Sequence, residues 1–368
     1  MFPERPFQIE ILRAEARGIQ PPKQPDAPKI KRKKPGNLLR PQPGFIIKPG
    51  IKWVKSANRS AEAQMLFGHF WYQGELCILY ADTNVGKSIL AVQIGLSIAS
   101  GKPIGTFAMD AQPCPVLYFD FELSEKQFAK RYSDAAGKPY PLHPRFYRGV
   151  FNPASTKAAS FATYEEFINN EIENALLTTK AKVLIIDNIT CLRQGAQAAA
   201  GTINLVRGLQ AIKNTYGLSI LVLAHTPKRN PVKPLSRNCL QGSKMLINFC
   251  DSAFAIGESH APAPEMPGAT GLRYLKQIKQ RSTTEAYGAG NICLFRLVKP
   301  GNFLHARFYG QGIEADHLLH FTEKLRRERQ ARIADLNRQG LSIRQIAADL
   351  NLGTTTIFKA LRKIEKQG

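Results

Sequence analysis

The chain has 368 residues, 43% of them apolar, enough to bury the core of one large domain and a small one. Its formal charge of +23 favours an acidic polymer as partner, nucleic acid first and an anionic membrane surface second. No run of about 18 apolar residues is present to span a membrane, the N-terminal MFPERPFQIE lacks the regions of a signal peptide, and the six cysteines show no CxxC or paired spacing, so they read as reduced thiols of a cytoplasmic protein, not a disulfide or zinc framework.

Residues 1–60 read as a basic, Pro-rich, mostly unpacked arm with fourteen Lys and Arg against four acids. Such a stretch does not bury enough surface to offset the entropy of ordering. It is either an electrostatic contact to nucleic acid or a solvated tail; Gln8 to Arg17 is its one short helical stretch. Ala61 to Gly74 then reads as a lead-in helix and turn. Trp71 and Tyr72 within it are core aromatics or a stacking surface for a base.

Leu76 to Gly101 reads as strand, tight loop and helix. The loop Ala81-Asp82-Thr83-Asn84-Val85-Gly86-Lys87-Ser88 has the length and ending of a Walker A P-loop, GxxxxGK[ST]. A polyphosphate needs several converging backbone N–H groups and the positive end of a helix, and this loop supplies both. Lys87 would place a charge on the β- and γ-phosphates, and the Ser88 hydroxyl would ligate Mg²⁺. Ala81 stands where the first Gly of the pattern belongs, and the alternative to a working site is a decayed loop.

Pro115 to Glu122 reads as a second buried strand ending in an acid, followed by a helix that Ser124 caps. Glu122 is the general-base candidate against the γ-phosphate; the other reading is an acid complementing a helix dipole. Phe161 to Thr179 is an amphipathic helix. Lys182 to Asp187, KVLIID, has the Walker B pattern, in which Asp187 would hold the water shell of Mg²⁺. Thr202 to Tyr216 is another helix, and Leu218 to Ala224 a fourth strand that ends at His225. Strands alternating with helices predict a parallel sheet with its polar candidates at the strands' C-terminal ends.

Thr226 to Ser243 reads as a basic loop that includes Lys228 and Arg229. Apolar material follows from Met245 to Ala255. Leu272 to Lys279 and Asn291 to Val298 read as late antiparallel strands. Glu323 to Gln367 is helical, with a capping box at Ser342–Gln345, a three-residue turn at Asn351 to Gly353 and a last helix from Thr354. This is helix-turn-helix spacing. It holds eleven basic and five acidic residues. Thr354, Thr355, Thr356, Lys359 and Arg362 fall on or near the last helix's outer face, for binding DNA or, alternatively, for a helical cap that mediates oligomerisation.

Together, ADTNVGKS, VLYFDFELSEKQFAKR, VLIIDN with LVLAHT, and LQGSKMLINFCDSAFAI with IKQRST resemble the RecA/DnaB-type ATPases, including the RepA-like hexameric helicases, over roughly residues 65 to 310. The C-terminal helices resemble the helix-turn-helix of resolvases. The resemblance implies an α/β fold with a mostly parallel central sheet flanked by helices across residues 61–318, and a small all-α unit at 322–368. It implies ATP and Mg²⁺ as cofactors, Glu122 as the catalytic glutamate and His225 as a γ-phosphate sensor. It further implies that Lys279 and Arg281 enter a neighbouring subunit's site in a homo-oligomeric ring such as a hexamer, and that the loop from Lys228 to Arg237 reaches DNA. The expected function is a DNA-dependent ATPase and possible helicase. The alternative is a non-motor DNA-binding regulator that uses ATP as an assembly switch.

Overall fold

The computed structural model describes residues 45–59, 62–189, 198–227, 230–240, 244–261, 270–319, 323–350 and 352–365. The chain divides into two units, residues 1–61 and 62–368. Most of the basic arm, with the expected helix at Gln8 to Arg17, lies outside the described residues. The described part of the first unit holds α1 (Gly50–Ala57), which buries none of its residues. Its Ile51, Trp53 and Val54 are exposed.

The second unit opens with a correction. Where a lead-in helix is expected, the chain forms a two-stranded antiparallel hairpin of β1 (Met65–Phe67) and β2 (Trp71–Tyr72). Aromatic residues favour a pleated, half-buried surface, and Gly68 turns the chain at φ +46°, a conformation other residues rarely adopt. Trp71 is fully buried, as a core aromatic.

The elements then alternate: β3 (Leu76–Ala81), α2 (Lys87–Ser100), β4 (Val116–Asp120), α3 (Glu125–Arg131), β5 (Phe146–Gly149), α4 (Tyr164–Thr179), β6 (Val183–Asp187), α5 (Ala198–Tyr216), β7 (Ser219–His225), α6 (Lys244–Phe249) and β8 (Ser252–Glu258). Three further strands follow, β9 (Arg273–Lys279), β10 (Ile292–Val298) and β11 (His305–Gly312). The sheet order is β11-β10-β9-β8-β3-β7-β6-β4-β5. β8, β3, β7, β6, β4 and β5 are parallel to one another, and β9 to β11 are antiparallel. The sheet is therefore α/β and mostly parallel, as expected.

β3 sits near the middle, and all six of its residues are buried. Its side chains alternate between faces. Cys77, Leu79 and Ala81 join one core layer with α2, while Leu76, Ile78 and Tyr80 join a second with α4 and α5. Helices on both faces explain why its strands read as continuous apolar runs. Cys77, Cys114, Cys239, Cys250 and Cys293 are all free thiols, and no helix among the described residues is long and apolar enough to cross a membrane.

After the short α7 (Glu314–His317), three helices close the chain: α8 (Glu323–Arg338), α9 (Ile343–Asp349) and α10 (Thr354–Glu365). They share their own small core, with Ile333, Leu336, Ile346, Ala347 and Ile357 buried. The expected capping box is present, with the Ser342 hydroxyl accepting from the Gln345 N–H.

Candidate nucleotide site

β3 delivers the chain to the P-loop at Ala81, which lies in register with His225 at the end of β7. Ala81 is a strand residue, fully buried, and is not among the positions of positive φ. An alanine therefore stands here without strain, which removes the backbone argument for a decayed loop. The turn is made instead by Asn84 at φ 65° and Gly86 at φ 107°. A Cβ on Gly86 would also lie 2.8 Å from Leu297 Cδ1, so both conformation and space require glycine. Gly86 is the N-cap of α2, with Lys87 and Ser88 its first two residues.

Lys87 is buried and folds back on the loop. Its ammonium donates to the carbonyls of Ala81 at 3.1 Å and Asp82 at 2.9 Å, and lies 3.2 Å from His225 Nδ1. Burial lowers its pKa, and the carboxylates of Asp187, Glu122 and Asp82 act against that shift. Asp82 in turn accepts from the Thr226 hydroxyl, tying the P-loop to the end of β7.

Glu122 lies two residues past β4 rather than in it. His225 Nε2 is 3.1 Å from its Oε1, and the Asn188 amide donates to the same oxygen. The ring meets the Lys87 ammonium at Nδ1, and at Nε2 both the Asn188 amide at 3.0 Å and Glu122. Lys87, His225 and Glu122 thus form one continuous polar chain from the P-loop lysine to the acid.

Asp187 ends β6 and is fully buried. Its Oδ2 accepts from Tyr118 OH at 2.6 Å, while Oδ1 is buried without a hydrogen-bond partner. Burial pushes its pKa up to about 6, with the Ser88 and Tyr118 hydroxyls opposing the shift and Glu122 and Asp120 adding to it. A buried carboxylate oxygen left unpaired beside a P-loop hydroxyl is costly alone, and a hydrated cation would satisfy it. The donor set fits Mg²⁺ held by Ser88 and, through water, by Asp187.

Thr83, Asn84, Lys87, Ser88, Glu122, Arg131 and His225 line a cleft of about 130 Å³. Arg131, Asn188 and Tyr118 were not among the site residues expected from the sequence. Asn188 follows directly on Walker B, and Arg131, the last residue of α3, lines the same cleft as Glu122.

Lys279 and Arg281 do not approach this site. Lys279 pairs with Ala253 near the start of β8, at the end of the sheet away from the P-loop. Its ammonium caps α6, donating to the carbonyls of Ile247 at 2.5 Å and Cys250 at 2.6 Å. Arg281 donates to Asn248 O at 2.9 Å and pairs with Asp251 at 3.3 Å, and its side chain is 52% exposed. Lys228 and Arg229 lie outside the described residues. Thr354, Thr355, Thr356, Lys359 and Arg362 are all exposed on α10, around the buried Ile357.

No curated protein has a sequence that matches this chain. The structure is similar to the crystal structure of a KaiC-like protein from the hyperthermophilic archaeon Pyrococcus horikoshii, at 14% identity and a TM-score of 0.44, covering 68% of this chain and 99% of that one. Residues 49–231 match the family model of the AAA domain, in keeping with a P-loop that follows the central strand of a mostly parallel sheet.

Proposed function

We propose that the chain hydrolyses ATP and uses the cycle to act on DNA. The observation that carries this reading is the meeting of Glu122 and His225 with Lys87 at the C-terminal ends of the parallel strands β4, β7 and β3. In the proposed reaction Glu122 orients a water for in-line attack on the γ-phosphate. Lys87 moves from the loop carbonyls to the β- and γ-phosphate oxygens, and His225 reports that movement to Glu122 through its ring. Bound Mg²⁺ would neutralise charge on the phosphates. Arg281 carries the charge that completes a neighbouring copy's site in a ring, a role typically worth about 10³–10⁵ in rate. Its position away from the chain's own P-loop supports action in trans.

The DNA part of the proposal rests on the +23 charge and on the exposed Thr, Lys and Arg side chains of α10. With nucleotides and DNA as ligands, the chain would work in the cytoplasm. A second reading, in which ATP only switches assembly of a DNA-binding regulator, is favoured by the separate small core of the C-terminal helices. The test is the ATPase rate of the full chain with and without single-stranded DNA. Strong stimulation by the strand supports the motor, and a slow rate indifferent to DNA supports the switch.

A further inference from the structure

Glu122 sits on a short loop between β4 and α3, and a loop by itself does not fix a carboxylate. Here the loop is held from below. The buried Asp120 uses Oδ1 to accept the backbone N–H of Glu122 at 3.1 Å and of Leu123 at 2.9 Å. This is a side-chain turn that fixes the backbone on both sides of the Glu122 Cα. Its Oδ2 is occupied by Arg148 of the edge strand β5, with Nε at 2.9 Å and Nη2 at 2.9 Å. Arg148 Nη2 also donates to the Leu123 carbonyl at 2.6 Å, and the guanidinium lies 4.4 Å over the Phe128 ring of α3. One planar cation therefore joins the end of β4, the loop carbonyl and the first helix beyond it. The two side chains are 0% and 16% exposed, so the pair is shielded from solvent.

We propose that Arg148, acting through Asp120, is a positioning residue that sets the direction of the Glu122 carboxylate for hydrolysis. The proposal rests on the reading of Glu122 as the group that orients water. Arg148 does not line the nucleotide cleft, so its effect falls on turnover and not on nucleotide affinity. The fork is essential. A lysine keeps the charge opposite Asp120 but is a point donor, without the fixed plane that bonds the carboxylate and the Leu123 carbonyl together and stacks on Phe128.

The test compares full-length wild type, Arg148→Lys, Glu122→Gln and the double variant for kcat, KM for ATP and Tm. Arg148→Lys is expected to lower kcat about 10- to 100-fold, the scale of a misplaced reacting group. KM should stay within about twofold, and Tm should stay near that of wild type. The double variant should be no slower than Glu122→Gln alone, because a positioning residue has nothing left to position. A loss carried in full onto the Glu122→Gln background overturns the proposal, as does an unchanged kcat in Arg148→Lys beside a slow Glu122→Gln. Wild-type turnover by Glu122→Gln overturns the reading of Glu122 itself, and the proposal with it. Should Arg148→Lys not fold, the pair Asp120→Asn/Arg148→Gln leaves no buried charge unpaired. It is expected to keep Tm and lose kcat to the same degree, and full kcat there overturns the proposal equally.

Discussion

Ala81, the last residue of β3, and Gly86, the N-cap of α2, stand five residues apart and have opposite requirements. Ala81 is a buried strand residue, so Ala81→Gly should leave nucleotide affinity unchanged and cost about 1 kcal/mol in denaturant unfolding, from a more flexible strand and a lost methyl contact. Gly86→Ala meets both a positive φ and the Leu297 side chain. It should cost about 1–3 kcal/mol and weaken nucleotide binding. Asp187 gives a different signature, because its unpaired Oδ1 is a liability until a cation arrives. Thermal melts of Asp187→Asn should show no loss of stability without ligand, and loss of the extra stabilisation that Mg²⁺ adds to a bound nucleotide in wild type. A variant still stabilised by Mg²⁺ would remove Asp187 from the metal's water shell. The residues legible in the sequence were those whose spacing is local: Lys87 and Ser88 after Gly86, and Asp187 at the end of an apolar run. Asp120 and Arg148 were not legible, because the partnership joins positions 28 residues apart and neither residue has a distinctive local pattern.

Elements that alternate apolar strand and amphipathic helix were legible from periodicity, and β3, β4, β6 and β7 fall where the apolar runs predict. The hairpin of β1 and β2 was missed because a three-residue strand is shorter than any periodic signal. β5 and β11 were missed for a related reason: each lies at a sheet edge, and β11 exposes several of its residues. The late elements keep together, at the end of α6, the two basic residues that the resemblance pairs. Lys279 is a helix cap, and Arg281 is half-exposed beside it. Lys279→Met should lower stability by about 1–3 kcal/mol, since the last carbonyls of α6 lose a charged donor. Arg281→Ala should barely change Tm and should spare ATP binding while abolishing turnover. Retained turnover in Arg281→Ala would sink the idea of a shared site.

For the molecule as a whole, the excess of positive charge predicts that DNA binding weakens steeply with salt. Neutralising about six phosphates gives a log–log slope of roughly −5. Lys359→Glu with Arg362→Glu on the exposed side of α10 should weaken binding and flatten that slope, and should leave the DNA-free ATPase rate unchanged. A slope unaltered by these changes would place the contact elsewhere on the chain. The composition points to a nucleic-acid partner as a proposal and does not say which surface would meet it, because charge adds over the whole chain while a contact is local. The central claim is that the P-loop site hydrolyses ATP through Glu122. The most direct test measures ATP hydrolysis and nucleotide binding by wild type and Glu122→Gln, with and without single-stranded DNA. The account predicts turnover by wild type that rises on DNA, and a Glu122→Gln protein that binds ATP equally well but stalls. Binding without hydrolysis by wild type, or equal turnover by the two proteins, would contradict it.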